Sequence, residues 1–90
     1  MYNYLLDTLI AVVESGSFTK ASEKLYLSPT AVMKQINTLE KQLDLKLLRR
    51  TPNGVELTPA GKVVYRDAKF MVDYAKKTIA EARAAESRYD

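Results

Sequence analysis

Two hydroxyl–proline pairs mark where helices begin in this chain, and they constrain its fold more than any other feature. In Ser28-Pro29 the serine hydroxyl can cap free backbone N–H groups, and proline suits the first helical position. Thr58-Pro59 repeats the arrangement. We therefore predict a helix from Pro29 to about Leu43 and a last helix from Pro59 to about Arg88. At 1.5 Å per residue, the last helix would be about 45 Å long.

Two shorter helices are predicted before Ser28. Over residues 2–15, apolar residues recur at the three-to-four spacing of an amphipathic helix, at Leu5, Leu6, Leu9, Ile10 and Val13. The small, turn-prone residues 15–17 end this helix. A second helix runs from about Phe18 or Thr19 to Leu25, and Tyr26-Leu27 forms a tight connection to the third.

A hairpin is predicted between the third and last helices. Two short β-prone segments, Lys46–Arg50 and Val55–Leu57, flank Thr51-Pro52-Asn53-Gly54, in which Asn-Gly is the strongest two-residue turn signal. The third helix carries one apolar stripe for the core, formed by Val32, Ile36, Leu39 and Leu43. This order predicts a mainly α, winged helix-turn-helix fold with a three-helix core, a short β-hairpin wing and a long C-terminal helix.

Cysteine and histidine are both absent from the 90 residues. Their absence excludes disulfides, thiolate catalysis, His-based triads and nearly all zinc sites. The three glycines form none of the common nucleotide-binding loops. We therefore expect no enzyme, no metal site and no cofactor.

No segment is expected to enter a membrane. The longest unbroken apolar run, residues 9–13, is far shorter than a transmembrane span. The N-terminus lacks the basic region of a signal peptide, and Asp7 interrupts its apolar stretch. These features predict a cytoplasmic location.

Positive charge is concentrated in the middle third of the chain. Residues 1–19 contain two acids and no base, a net charge of −2. Residues 20–50 contain seven bases and three acids, a net +4, and residues 51–90 contain seven bases and six acids, a net +1. A phosphate-binding surface needs such an excess, although an ordinary solvated face can also show it.

Three segments closely resemble the DNA-binding domain of LysR-type transcriptional regulators. They are residues 17–25, 28–36 and 57–61, and Leu39, Glu40, Leu43, Leu47 and Arg50 between them also match. The resemblance is close over residues 3–61, and residues 62–88 match the family's linker helix by position and pattern. It implies a winged helix-turn-helix over residues 1–58, a linker and dimerisation helix over 59–90, and control by a small-molecule effector through a domain missing from this chain.

The chain departs from the family pattern at four positions. The family often has Gln in place of Pro29, Ser in place of Met33, Gly in place of Asp44 and Phe in place of Leu48. Because Pro29 and Met33 lie on the side of the third helix that is expected to contact DNA bases (the reading face), the base preference of relatives does not transfer. Asp44 is predicted to adopt the left-handed backbone that glycine accepts more readily at a helix end.

The resemblance places the third helix in the major groove of double-stranded DNA. The candidate contacts on and beside its exposed side are Ser28, Pro29, Thr30, Met33, Lys34, Asn37 and Lys41. Lys34 suits a guanine edge or a phosphate, Asn37 an adenine or the backbone, and Met33 a thymine methyl. Each side chain taken alone is also compatible with a solvated face, and Ser28 with a plain helix cap.

Gln35, beside the apolar stripe, is expected to form a partly structural hydrogen bond.

Further DNA contacts are predicted outside the third helix. Thr19 and Lys20 lie at the start of the second helix, where they suit backbone phosphate. Arg49, Arg50 and Asn53 lie where the family's wing meets the backbone and the minor groove. Arg50 is equally suited to an ion pair with Glu40 or another acid, and both interpretations remain open.

The last helix is predicted to pair antiparallel with a second copy of the chain. Small and apolar residues follow approximate heptad spacing at Val64, Ala68, Met71, Ala75, Ile79 and Ala82. The alternative is a helix that folds back on its own domain, but its far half would extend beyond the core. A homodimer would read an interrupted inverted repeat.

Two other functions compete with a LysR-type DNA-binding domain. One is another winged-helix regulator, such as the molybdate-responsive type, and Ala60-Gly61 after Thr58-Pro59 favours the LysR type over it. The other is a winged-helix module that binds proteins instead of DNA. Such a module would carry acids on the exposed side of the third helix, where this chain has Lys34 and Lys41.

Overall fold

A computed structural model describes residues 3–87. The helices are α1 (Leu5–Ser15), α2 (Phe18–Leu25), α3 (Pro29–Leu43) and α4 (Pro59–Ser87), and the strands β1 (Leu48–Thr51) and β2 (Gly54–Leu57) lie between α3 and α4. This order confirms the predicted winged helix-turn-helix with a long last helix. The molecule measures 55 × 25 × 21 Å because α4 extends beyond the core.

Hydroxyl side chains cap the N-termini of three of the helices. Ser17 Oγ accepts a hydrogen bond from the Lys20 N–H at 3.0 Å, and Ser28 Oγ accepts one from the Ala31 N–H at 3.1 Å. Thr58 Oγ1 accepts one from the Gly61 N–H at 2.9 Å. The helix starts predicted from Ser28-Pro29 and Thr58-Pro59 are thus confirmed, because each cap satisfies an otherwise unpaired N–H group.

The first helix is shorter than predicted from its apolar spacing. It begins at Leu5, whose N–H donates to Asn3 Oδ1 at 3.0 Å, and the Asn3 carbonyl accepts from the Leu6 N–H. Asn3 therefore precedes the first turn instead of continuing it. The predicted start at Tyr2 and the predicted end of the last helix at Arg88 lie outside the described residues.

A residue with a left-handed backbone conformation ends each of the first three helices. Gly16 follows α1 with φ 78°, Tyr26 follows α2 with φ 58°, and Asp44 follows α3 with φ 53°. The left-handed backbone conformation predicted at Asp44 is confirmed. Tyr26 was not anticipated there, since a tyrosine pays a steric cost in this conformation that glycine avoids.

The core lies between α1, α2, α3 and the start of the hairpin. Its largest fully buried side chains are Leu9, Val12, Val32, Leu39 and Leu47. The predicted apolar stripe of α3 is correct at Val32, Ile36 and Leu39, but Leu43 is 40% exposed. Leu43 is the last residue of α3, and the chain turns away at Asp44 before a covering element can reach it.

The hairpin has a different turn from the one predicted. Leu48 pairs with Leu57 and Thr51 with Gly54, so the two loop residues are Pro52 and Asn53 and not Asn53-Gly54. Gly54 instead begins β2 with φ 139°, and a Cβ there would lie 2.5 Å from the Gly16 carbonyl oxygen. Glycine is thus required by close backbone packing against the turn that follows α1.

The segment Lys46–Leu48 ties α3, the hairpin and α4 together. Glu40 of α3 accepts hydrogen bonds from the N–H groups of Leu47 at 2.7 Å and Leu48 at 3.2 Å. The Thr58 N–H donates to the Leu47 carbonyl at 2.9 Å, and the Thr58 hydroxyl donates to the Lys46 carbonyl at 2.5 Å. These bonds satisfy the backbone of a segment that belongs to no helix and only partly to the sheet.

The first third of α4 packs on the core of its own chain. Gly61 and Ala68 are buried, and Val64 and Tyr65 pack against the core cluster. Ala68, predicted to lie in a dimer interface, is instead 0% exposed within its own domain, and Val64, predicted for the same interface, is half-buried against the core.

Replacing Gly61 by alanine is expected to destabilise the fold. A Cβ at Gly61 would lie far inside van der Waals distance of the Leu47 carbonyl oxygen, so Lys46–Leu48 or α4 would have to move. We expect a loss of about 2–4 kcal/mol in the free energy of unfolding, measured by urea denaturation. Lys62→Ala, at the adjacent exposed position, is the control and should change it by less than about 0.5 kcal/mol. Equal effects from the two variants would contradict the close packing.

A polar cluster fastens α1 to α4. Lys69 Nζ lies 3.2 Å from Glu14 Oε2, and the Tyr65 hydroxyl donates to the same oxygen at 3.2 Å. The hydrogen bond from Lys69 is the main cause that lowers the pKa of Glu14 below its ordinary value, against the opposing effect of burial. Burial and the bond to Glu14 raise the pKa of Tyr65.

Acid is expected to remove the stabilisation that this cluster provides. Because the pKa of Glu14 is lower in the folded chain than in the unfolded chain, the unfolded state binds more protons near that pH, and acidification favours unfolding. Urea midpoints of the wild type and Glu14→Gln should differ most near pH 7 and converge as pH falls below about 4. A difference that stays constant over this range would contradict the account.

Candidate nucleic-acid interface

One side of α3 faces solvent with polar and charged residues. The candidate contacts Pro29, Thr30, Lys34, Asn37 and Lys41 are exposed, and Met33 is half-buried. Val32, Ile36 and Leu39 are buried on the opposite side. The helix therefore presents the predicted reading face as a continuous surface.

The orientation of α3 is held by polar contacts beside its apolar stripe. The Thr8 hydroxyl of α1 donates to Gln35 Oε1 at 2.5 Å, which confirms a structural hydrogen bond for Gln35. Asn3 Nδ2 donates to Gln42 Oε1 at 2.9 Å near the other end of α3. These bonds fix the rotation of α3 about its axis, and hence which side chains face solvent.

The hairpin and α3 form the walls of a groove. Its lining includes Phe18, Met33, Asn37, Lys46 and Arg50. A second, adjoining cleft lies between the start of α2 and the hairpin, where Thr19 approaches Arg50, Thr51 and Pro52. The fold thus brings Thr19, Met33, Asn37 and Arg50 to one region.

The other predicted contacts lie around this region instead of inside it. Ser28, Pro29 and Thr30 occupy the exposed N-terminal end of α3, while Lys34 and Lys41 lie along its outer side. Lys20 is exposed in the first turn of α2, and Asn53 is exposed at the tip of the hairpin. Ser28 is in addition a helix cap, as its position before Pro29 suggested.

Among residues 3–87, Arg50 forms no ion pair with Glu40 or another acid, which was the alternative that the sequence left open. Its Nη2 donates to Met33 Sδ at 3.0 Å, and its guanidinium carbon lies 4.8 Å from the centre of the Phe18 ring. Glu40 instead binds the backbone of Leu47 and Leu48 and pairs with Lys46 at 3.5 Å. Sequence reasoning missed Phe18 as a partner of Arg50, because only the folded hairpin brings the two together.

The cations of this surface keep their charge available. Within residues 3–87, Lys20, Lys34, Lys41 and Arg50 form no ion pair with an acidic side chain. Arg49 differs, since it pairs with Glu56 across the hairpin at 3.4 Å. An exposed group of unpaired cations beside a protruding helix attracts a polyanion.

Beyond the core, α4 exposes apolar residues over much of its length. Phe70 is 68% and Tyr74 59% exposed, and their rings stack with centroids 6.0 Å apart. Of the predicted dimer contacts, Met71, Ala75, Ile79 and Ala82 are exposed on this part of the helix. Large exposed apolar side chains on one helix are typical of a surface that a partner covers.

Two kinds of site are absent from residues 3–87. No group of three or more acidic, histidine or cysteine side chains has an arrangement that would hold a metal ion. None of the four helices is both long and apolar enough to cross a lipid bilayer.

A family model matches most of this surface. The model describes bacterial regulatory helix-turn-helix proteins of the lysR family, and it matches residues 4–62, which include α1, α2, α3 and the hairpin. The chain belongs to the LysR family. The resemblance of residues 3–61 to this family is thereby confirmed.

Related regulators and related proteins of known structure also belong to this family. The HTH-type transcriptional regulator CysL of Bacillus subtilis is 44% identical over 84 residues, which are 93% of this chain but 28% of CysL. The CbnR_DBD–DNA complex is similar with a TM-score of 0.81 and 34% identity, covering 94% of this chain and 98% of that one. The BenM_DBD/catB site 1 DNA complex has a TM-score of 0.88 and 31% identity, covering 100% and 97%. The chain thus corresponds to the DNA-binding domain of a LysR-family transcriptional regulator.

Proposed function

We propose that this chain binds double-stranded DNA sequence-specifically, with α3 in the major groove. The observation that carries the proposal is the exposed side of α3, where Lys34 and Lys41, beside Thr30 and Asn37, pair with no acid of residues 3–87. An α-helix fits the major groove, and lysine and asparagine side chains suit the base edges and phosphates found there. The solved relatives CbnR_DBD and BenM_DBD are complexes with DNA.

The contacts that flank the groove come from α2 and the hairpin. Thr19 and Lys20 at the start of α2, and Ser28 and Pro29 at the start of α3, lie where backbone phosphates would approach two helix N-termini. Arg50 and Asn53 place the wing against the adjacent backbone or minor groove. In this assignment, α3 supplies sequence preference and the other contacts supply mainly affinity.

A homodimer formed through α4 would bring two copies of α3 to one DNA site. Three large residues on the α4 surface, Phe70, Met71 and Tyr74, precede three smaller ones on the same side of the helix, Thr78, Ala82 and Ala85. In an antiparallel pair, the large residues of each helix would pack against the small residues of the other, whereas a parallel pair would oppose large with large. Ala75 and Ile79 lie alongside this stripe, and Val64 and Ala68 take no part in it.

Several further features belong to the same proposal. Residues 1–58 form the DNA-binding unit and 59–90 the linker and dimerisation helix, although α4 shares the core of the first unit through Gly61 and Ala68. Relatives of this chain are transcriptional regulators, and we infer no enzymatic activity for it. Action on DNA suits a cytoplasmic location. The match to this chain covers only 28% of CysL. In a whole regulator of that length, an effector would act through residues other than those of this sequence.

A winged-helix module that binds proteins is the remaining alternative. It would bury α3 against a partner and would show little dependence on salt, whereas phosphate contacts release counterions. Lys20, Lys34 and Lys41, which pair with no acid among the residues that the structure describes, favour DNA over such a partner.

Substitution of two lysines is expected to separate affinity from sequence preference. Lys20→Ala should weaken binding to all duplexes alike and reduce the slope of log affinity against log salt by about one. Lys34→Ala should also lower affinity and, if Lys34 contacts a base, relax the preference at one position, at a cost of about 1–3 kcal/mol. Fluorescence anisotropy at several salt concentrations measures both effects.

Lys76→Ala is the matched control for these variants, because it removes the same charge from α4, away from α3 and the wing. An equal loss of affinity in all three variants would indicate general electrostatic attraction and would contradict the proposed interface.

Acidic substitutions on α4 should distinguish its two sides. Tyr74→Glu, on the exposed stripe, should convert the dimer into a folded monomer by placing charge in an apolar interface. Ala68→Glu should instead lower the free energy of unfolding by about 3 kcal/mol or more, because Ala68 is buried within the chain. Sedimentation equilibrium and urea denaturation measure the two outcomes.

Lys76→Glu, on the side of α4 that faces away from Tyr74, is the control and should remain a dimer. A stable dimer of Tyr74→Glu would show that the stripe is assigned to the wrong side of α4.

A further inference from the structure

The contacts of Arg50 come from two different helices. Phe18 is the first residue of α2, Met33 lies in the first third of α3, and Arg50 lies on β1 of the wing. Arg50 Nη2 is 3.0 Å from Met33 Sδ, and the guanidinium lies over the Phe18 ring at 4.8 Å. We call this arrangement the guanidinium clamp.

The clamp holds Arg50 without neutralising it. A thioether sulfur is a weak acceptor, and an aromatic face attracts a cation without forming a salt bridge. Arginine has five N–H donors, and the thioether occupies one of them. The neighbouring Arg49 provides the contrast, because its charge is paired with Glu56 across the hairpin. A carboxylate in place of Met33 would compete with a DNA phosphate, whereas the thioether does not.

A long arginine side chain loses conformational freedom when it binds. Fixing such a side chain before the ligand arrives reduces this loss and so increases affinity. Met33 is half-buried in the groove wall and touches the arginine from the side of α3. The sulfur therefore also links the position of the wing to that of α3.

We propose that Met33 is a positioning residue that pre-organises Arg50 for DNA, and that it couples the wing to α3. This inference rests on the proposed DNA binding. It gives Met33 a role different from the thymine-methyl contact that its place on α3 suggested. The effect of replacing Met33 should therefore depend on Arg50 and should not depend on base sequence.

A double-mutant cycle tests the coupling. The variants are Met33→Leu, which keeps an apolar side chain of similar size but has no sulfur acceptor, Arg50→Ala, and the two combined. The ligand is a pool of random-sequence duplex DNA, titrated by fluorescence anisotropy. Met33→Leu should raise the dissociation constant about threefold to tenfold in the wild-type background and leave it unchanged in the Arg50→Ala background.

Two further variants serve as controls. Lys20→Ala lies on α2 without a contact to Arg50, so its effect and that of Arg50→Ala should combine additively. Met33→Gln restores an acceptor through its amide oxygen and should keep affinity close to that of the wild type. This second substitution also keeps the test decisive if Met33→Leu disturbs folding, which thermal unfolding of each variant would reveal.

The clamp is also measurable without DNA. In the free wild-type protein, the Arg50 Nε–Hε group should show a high heteronuclear NOE, and this value should fall in Met33→Leu. A low NOE in the wild type would show that the clamp does not restrain Arg50 and would overturn the proposal. Failure of the wild type to bind the duplex pool would instead contradict the proposed function, so the two failures are distinguishable.

The cycle has two outcomes that contradict the inference. An equal loss of affinity from Met33→Leu in both backgrounds would mean that Met33 contacts DNA itself. No loss in either background would mean that the clamp makes no contribution to binding.

Discussion

The binding surface depends on how the backbone of Lys46–Leu48 is satisfied. This segment connects α3 to the wing, and its polar groups bond to Glu40 on one side and Thr58 on the other. The start of α4 approaches so closely that only glycine fits at Gly61. Since a buried N–H or C=O group is costly without a partner, the segment has few alternative positions. The wing is consequently fixed to α3 and α4 at the same point.

This attachment explains why residues distant in sequence form one surface. With β1 fixed beside α3, Arg50 reaches both Phe18 and Met33, and it pairs with no acid in the described part of the chain. Glu40, the acid named from the sequence as a possible partner of Arg50, instead binds the backbone of Leu47 and Leu48. Glu40 thus holds the start of the wing through its backbone, and Arg50 remains available to a polyanion.

Local sequence signals predicted the elements, but not the contacts between them. Ser28-Pro29 and Thr58-Pro59 located two helix starts because capping depends on neighbouring residues alone. The heptad spacing of α4 assigned Val64 and Ala68 to a partner, because periodicity shows which side is apolar but not what covers it. The partners of Arg50 and the Pro52-Asn53 loop depend on tertiary packing and strand register, which the local patterns did not contain.

The central claim is that two copies of α3, related by a two-fold axis, read DNA. Selection of random duplexes by the wild-type chain at moderate salt, followed by sequencing, tests it most directly. The account predicts enrichment of an interrupted inverted repeat, with half-site spacing set by the paired α4 helices. Failure of a folded dimer to enrich any sequence or to bind DNA would contradict it.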